Sequence, residues 1–107
     1  MASDWIVKRS ERELVRRVGV EWAEYDVIRE VVTAGERLGR FPLLDRLGDY
    51  FDDCEWQTEE IPRLRDEMLE LGGVPGLSLT ASETVRCLVE LCDVAVRERK
   101  SVKVVAD

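Results

Sequence analysis

The sequence predicts a single α+β domain over residues 1–107, mostly α-helical, with about four helices around one core and a small sheet formed by the N- and C-terminal strands. Two patterns predict this fold. Apolar residues recur at helical steps of three and four, and strand-favouring bulky or β-branched residues lie near both chain ends. The chain is long enough for one modest core. Its 45% hydrophobic and 36% charged residues are typical of a globular protein rather than a disordered one.

The C-terminal part has the clearest helix signals. Residues 80–83 read TASE, a capping-box sequence in which Thr80 and Glu83 can satisfy each other's backbone N–H groups. The helical apolar spacing that follows predicts a helix over 81–98. The valines beyond it predict a strand over 102–106.

The N-terminal part is less decisive. Residues 4–9 fit either a strand that pairs with 102–106 or a tail anchored by one tryptophan. Residues 10–13 read SERE, a second capping box, and predict a helix that Gly19 either ends or weakens. For residues 20–34 the three-to-four spacing favours a helix, although the valines and the isoleucine there also allow a strand.

Two further helices are predicted in the middle of the chain. Pro42 suits the first turn of a short helix that ends near Leu47. Thr58 is a candidate N-cap for a helix over 59–71. The glycine-rich residues 72–79 predict a loop.

Composition argues against several chemistries. The chain has no histidine, which removes the commonest general base and metal ligand. The three cysteines lack metal-site spacing and fit small buried hydrophobes in a reducing compartment. With no basic-then-apolar leader and no membrane-length apolar run, we expect a cytoplasmic protein. Because histidine chemistry is excluded, we expect that it is not an enzyme, and no cofactor is predicted.

Charge is concentrated in residues 45–60, which we call the acidic segment. It has seven acids and one base, a net charge of −6 out of −7 for the whole chain, whereas residues 8–17 have five bases and two acids. We interpret the acidic segment as a docking surface for a partner with a basic surface, because aromatics supply contact area and fixed charge steers encounter. The candidate contact residues are Asp49, Tyr50, Asp52, Asp53, Glu55 and Trp56. The alternative is a solvated loop whose aromatics belong to the core.

Other sites in the acidic segment are less well supported. Its carboxylates suit calcium, but their spacing does not match an EF-hand loop, so no metal site is predicted. Catalysis by paired carboxylates has no specific signal. The negative charge argues against nucleic acid as a partner.

From Phe41 onward the chain resembles a group of small, uncharacterised actinobacterial-type proteins. The shared features are FPLLDRLGDYFDD, a helix like LRDEMLEL, a long second helix and a closing strand, VKVVAD. This resemblance implies no activity. In architecture only, the acidic middle and the final helix and strand are also similar to barstar-like immunity proteins, which implies an inhibitor role.

We therefore expect a non-enzymatic protein-binding module, with an immunity or inhibitor function against a toxin as one specific form. The alternative is a structural or homo-oligomeric module whose exposed aromatics contact a second copy. We expect the protein to be a monomer or a homodimer. A small carboxylate-dependent enzyme is the third interpretation.

Overall fold

The structure, a computed structural model, describes residues 3–34, 39–47 and 54–106. The elements are β1 (Ser3–Ser10), β2 (Glu13–Val20), α1 (Trp22–Thr33), a 3-10 helix (Leu44–Leu47), β3 (Cys54–Trp56), a second 3-10 helix (Thr58–Glu60), α2 (Ile61–Gly72), α3 (Leu79–Glu98) and β4 (Val102–Ala106). The four strands form one antiparallel sheet in the order β2-β1-β4-β3. The predicted α+β class is confirmed, but the described residues contain three α-helices rather than four.

The strands at the two chain ends pair with each other, as predicted, and they form the centre of the sheet. β1 pairs antiparallel with β4 over four residue pairs, from Ser3 with Ala106 to Ile6 with Lys103. The prediction of a strand over 102–106 is confirmed, and the alternative of a loose N-terminal tail is wrong. The sheet also includes β2 and β3, which the sequence analysis did not predict.

The helix predicted from Ser10 is wrong, because this stretch is the β1–β2 hairpin. Ser10 and Glu13, assigned to a capping box, instead face each other across the turn. Val18 pairs with Trp5, and Val20, only 2% exposed, faces the core. The residues of β2 fit a pleated, half-buried surface, and pairing with β1 determines their conformation.

The remaining helices lie where the sequence predicts them, with different caps. Residues 22–33 form α1, so the strand alternative there is wrong. The cap of α3 is Ser78, whose Oγ accepts the Ala81 N–H at 3.1 Å, so α3 begins before the predicted Thr80 cap. At the second 3-10 helix, which leads directly into α2, Gln57 rather than the predicted Thr58 is the cap, in a capping box with Glu60.

One hydrophobic core lies between the sheet and the helices. α3 packs against β1 and β2, and α1 and α2 pack against α3. The rings of Trp5 and Trp56, from β1 and β3, stack with centroids 5.2 Å apart and are buried. Among the described residues, no helix has the length and apolar composition needed to cross a membrane.

Candidate protein-binding surface

The chain entering the acidic segment is held by a buried carboxylate. Glu67 on α2 is 5% exposed. Its carboxylate accepts the Leu43 N–H at 3.1 Å and the Leu44 N–H at 3.0 Å. Leu43 directly precedes the first 3-10 helix and Leu44 is its first residue, so neither N–H group has an acceptor within that helix. The carboxylate therefore satisfies two donors that would otherwise be buried without an acceptor.

Two buried aromatic side chains hold the same stretch from other elements. The Trp56 indole Nε1 donates to the Leu43 carbonyl oxygen at 2.9 Å. The Tyr25 hydroxyl of α1 donates to the Leu47 carbonyl oxygen at 3.1 Å. Phe41 and all three leucines of residues 41–47 are buried. Residues 41–47, which begin with the FPLL motif, are therefore a structural anchor that joins α1, α2 and β3.

The single base of the acidic segment is neutralised within the segment. The Arg46 guanidinium forms a two-point pair with the Glu60 carboxylate, with Nη1 donating to Oε1 at 3.0 Å. This pair, together with the Gln57 backbone N–H, lowers the pKa of Glu60. The same pair raises the pKa of Arg46. Arg46 therefore offsets Glu60, and the other acids determine the net charge of the segment.

Three other acids of the acidic segment are exposed on described residues. The Asp45 carboxylate lies 3.7 Å from Arg29 Nη1. Glu55 is opposite Lys103 in the sheet and accepts a hydrogen bond from the Ser101 hydroxyl at 2.9 Å. Glu59 lies in the second 3-10 helix. All three have the solvent exposure that a docking surface requires.

The predicted contact residues have different outcomes. Asp49, Tyr50, Asp52 and Asp53 lie outside the described residues. Glu55 is exposed on β3, in accordance with a surface role. Trp56 is fully buried against Trp5, so its side chain cannot contact a partner at the surface of the folded protein. The alternative interpretation, that the aromatics belong to the core, is correct for Trp56.

The sequence analysis missed the residues that hold the acidic segment in place. Tyr25 and Glu67 are 22 and 24 residues away from the backbone atoms that they bind. The sequence signal for Glu67 is its place beside Met68 and one turn after Leu64, on the apolar side of α2. A carboxylate on such a face requires buried donors.

The basic residues of the N-terminal stretch lie on the far side of the sheet. β2 and β3 are its two edges, so the basic hairpin and the acidic segment are separated by β1 and β4. Three arginines of the hairpin have acidic neighbours: Arg9 pairs with Glu13 and Glu98, Arg16 with Glu90, and Arg17 with Asp4. These three arginines are therefore offset locally, on the side of the sheet away from β3.

The cysteine thiols and two carboxylates on α2 take part in the packing and hydrogen bonding of the fold. No group of three or more cysteines and carboxylates there could hold a metal ion. Burial raises the pKa of the Cys92 thiol to about 12 and is the main cause of the raised pKa of Cys54. In the shallow depression on α2, Glu67 is hydrogen-bonded to backbone and Glu70 pairs with Arg40, so both carboxylates take part in structural contacts.

Comparisons of the chain with protein-family models, curated proteins and solved structures return no match.

Proposed function

We propose that this chain is a non-enzymatic protein-binding module whose acidic segment docks on a basic surface of a partner. The observation that carries the proposal is the firm attachment of residues that flank the segment's central stretch. The central stretch is residues 48–53. Before it, the Leu47 carbonyl oxygen accepts a hydrogen bond from the Tyr25 hydroxyl, and after it, Cys54 pairs with Val104 in the sheet. A stretch whose two ends are held on fixed backbone loses less entropy on binding than the same sequence does as a free peptide.

Charge supports the same surface. The exposed acids Asp45, Glu55 and Glu59 lie on the described parts of a segment that carries a net charge of −6. Fixed negative charge on one side of a protein raises the rate of encounter with a basic partner and makes binding depend on salt. An immunity or inhibitor protein that covers the basic site of a toxin is the specific form that we propose.

A non-enzymatic role is supported by the lack of histidine and by the structural engagement of Glu67 and Glu70. The described aromatics offer little support for the alternative of aromatic self-contact. Phe41, Trp5, Trp56 and Tyr25 are buried, and Trp22 is only partly exposed.

The experiment compares two variants of equal net charge. The test variant carries Asp49→Asn, Asp52→Asn and Asp53→Asn. The control neutralises three exposed acids elsewhere, Glu11→Gln, Glu30→Gln and Glu83→Gln. Both have a net charge of −4.

The partner is first recovered from source-cell extract with the wild-type chain, and its affinity for each variant is then measured at low and high ionic strength. If each removed charge contributes about 0.5 kcal/mol, the test variant should bind about tenfold more weakly with a smaller salt dependence. The control should bind like wild type. Equal weakening by both variants would show that net charge, and not this segment, governs binding.

A further inference from the structure

The face of the sheet that points away from the helices carries a small pocket. Along β1, the Ile6 side chain alternates with those of the core residues Trp5 and Val7, so it points to this face. Lys103 on β4 lies directly opposite Ile6, and Glu55 on β3 lies directly opposite Lys103. These three side chains therefore share the face, and they line a pocket of about 190 Å³.

Four charged side chains, two of each sign, contribute to the lining of this pocket. They are Lys8, Glu11, Glu55 and Lys103, and Ile6 and Ser101 also line it. The formal charges of the four side chains sum to zero. The volume is below the range of about 300–1,000 Å³ that is usual for drug-sized ligands, so the pocket suits a ligand of few atoms.

The four charges are unpaired. None of them forms an ion pair within residues 3–34, 39–47 and 54–106. Glu55 and Lys103 are direct cross-strand neighbours, where opposite charges usually interact. The Glu55 Oε2 instead accepts a hydrogen bond from the Ser101 hydroxyl at 2.9 Å. By contrast, the arginines on β1 and β2 pair with nearby acids.

The two lysines are neighbours on this face. Lys8 lies two residues after Ile6 on β1, and Ile6 is opposite Lys103, so the two lysines occupy diagonal positions. Side chains at such positions are about 7–8 Å apart, and long ones still interact. Two ammonium groups at this separation repel each other, and a carboxylate placed between them can accept a hydrogen bond from each.

We infer that the pocket binds a small zwitterion, with a carboxylate and an ammonium group at the two ends of a short aliphatic chain. The ligand carboxylate accepts hydrogen bonds from Lys8 and Lys103. The ligand ammonium group donates to Glu11 and to the Glu55 Oε1, which the Ser101 hydroxyl leaves free.

The balance of charges in the lining selects this class of ligand. A simple anion such as phosphate would approach two carboxylates, and a simple cation would approach two lysines, whereas a zwitterion complements both. The acids and the lysines do not contact each other directly, so the two charges of the ligand must also be separated. An ω-amino acid meets this requirement, because several bonds lie between its two charged groups.

Nuclear magnetic resonance titration of the full chain tests the inference with three ligands of one carbon skeleton. γ-Aminobutyrate carries both charges, butyrate carries the carboxylate alone, and butylamine carries the ammonium group alone. γ-Aminobutyrate should bind at least about fivefold more tightly than either of the others and should shift the amide signals of Ile6, Lys8 and Lys103. Equal affinity for γ-aminobutyrate and butyrate, or no binding of γ-aminobutyrate at about 10 mM, would overturn the inference.

Two substitutions assign the charges of the ligand to the residues that hold them. Lys103→Gln should weaken γ-aminobutyrate binding about fivefold without weakening that of butylamine. Glu55→Gln, which keeps an acceptor for Ser101, should weaken γ-aminobutyrate binding about fivefold without weakening that of butyrate. Exposed residues of α3 provide the matched controls, Arg86→Gln and Glu83→Gln, which should bind like wild type.

Equal weakening by the pocket variants and the α3 controls would show that net charge, rather than this pocket, determines binding, and would overturn the inference. The titration involves no protein partner. Its outcome is therefore independent of the proposed docking function of the acidic segment.

Discussion

Replacing Glu67 by methionine should destabilise the protein by about 3 kcal/mol, because two buried N–H groups would lose their acceptor. Each buried donor without a partner costs about 1–3 kcal/mol, and bonds to a charged acceptor are at the upper end of that range. The Leu43 and Leu44 N–H groups both bind this carboxylate, whose side chain is 6% exposed. Methionine has a similar length, so cavity formation adds little. For a domain of this size, we expect the melting temperature to fall by roughly 10–20 °C.

Urea unfolding followed by tryptophan fluorescence measures this effect, because Trp56 binds the same stretch of backbone. Glu67→Gln keeps an amide oxygen as an acceptor and should cost about 1 kcal/mol. Glu70→Met is the control on the same helix, since its side chain is 42% exposed and, among the described residues, pairs with Arg40 alone. It should cost less than about 1 kcal/mol. If Glu67→Met costs no more than this control, the carboxylate does not hold residues 41–47 in the way we describe.

Two further predictions concern Glu60 and the cap of α3. The pKa of Glu60 is lowered in the folded chain, so its pairing with Arg46 contributes stability above a pH of about 4.3 that is lost as the pH falls through the folded-state value. Arg46→Gln should therefore reduce stability at neutral pH and by progressively less as the pH falls below about 4.3, and a difference that does not shrink with falling pH in urea unfolding would contradict this. Ser78→Ala should cost about 1 kcal/mol in the same assay whereas Thr80→Ala should cost much less, and the reverse order would favour the cap predicted from the sequence.

The helices could largely be predicted from local sequence. In α2 and α3, the apolar residues recur at helical spacing, and nearby polar residues can satisfy the first N–H groups. The observed N-caps differ from the predicted ones by one or two residues, because more than one neighbouring polar residue can cap the helix. Ser78 and Thr80 both fit an N-cap, and the position at which α3 begins decides between them.

The exposure of the acidic segment's side chains could be predicted only in part. Charge counting locates the acidic segment, and Glu55 is exposed as expected. The same reasoning cannot decide whether an aromatic among acids is buried. Trp56 is buried because Trp5, 51 residues earlier, stacks on it and because the Leu43 carbonyl oxygen accepts its indole N–H.

The sequence by itself determined the α+β class, α2, α3 and the strand over 102–106, because these depend on periodicity and residue type over short stretches. It left residues 4–9 and 20–34 open between two conformations. Only the tertiary structure decided that residues 13–20 are a strand and that residues 54–56 join the sheet. Both choices depend on backbone pairing with other strands, and a short apolar pattern compatible with helix or strand takes the conformation that this pairing requires. The role of Glu67 was decided in the same way, since its hydrogen-bond donors are 23 and 24 residues away.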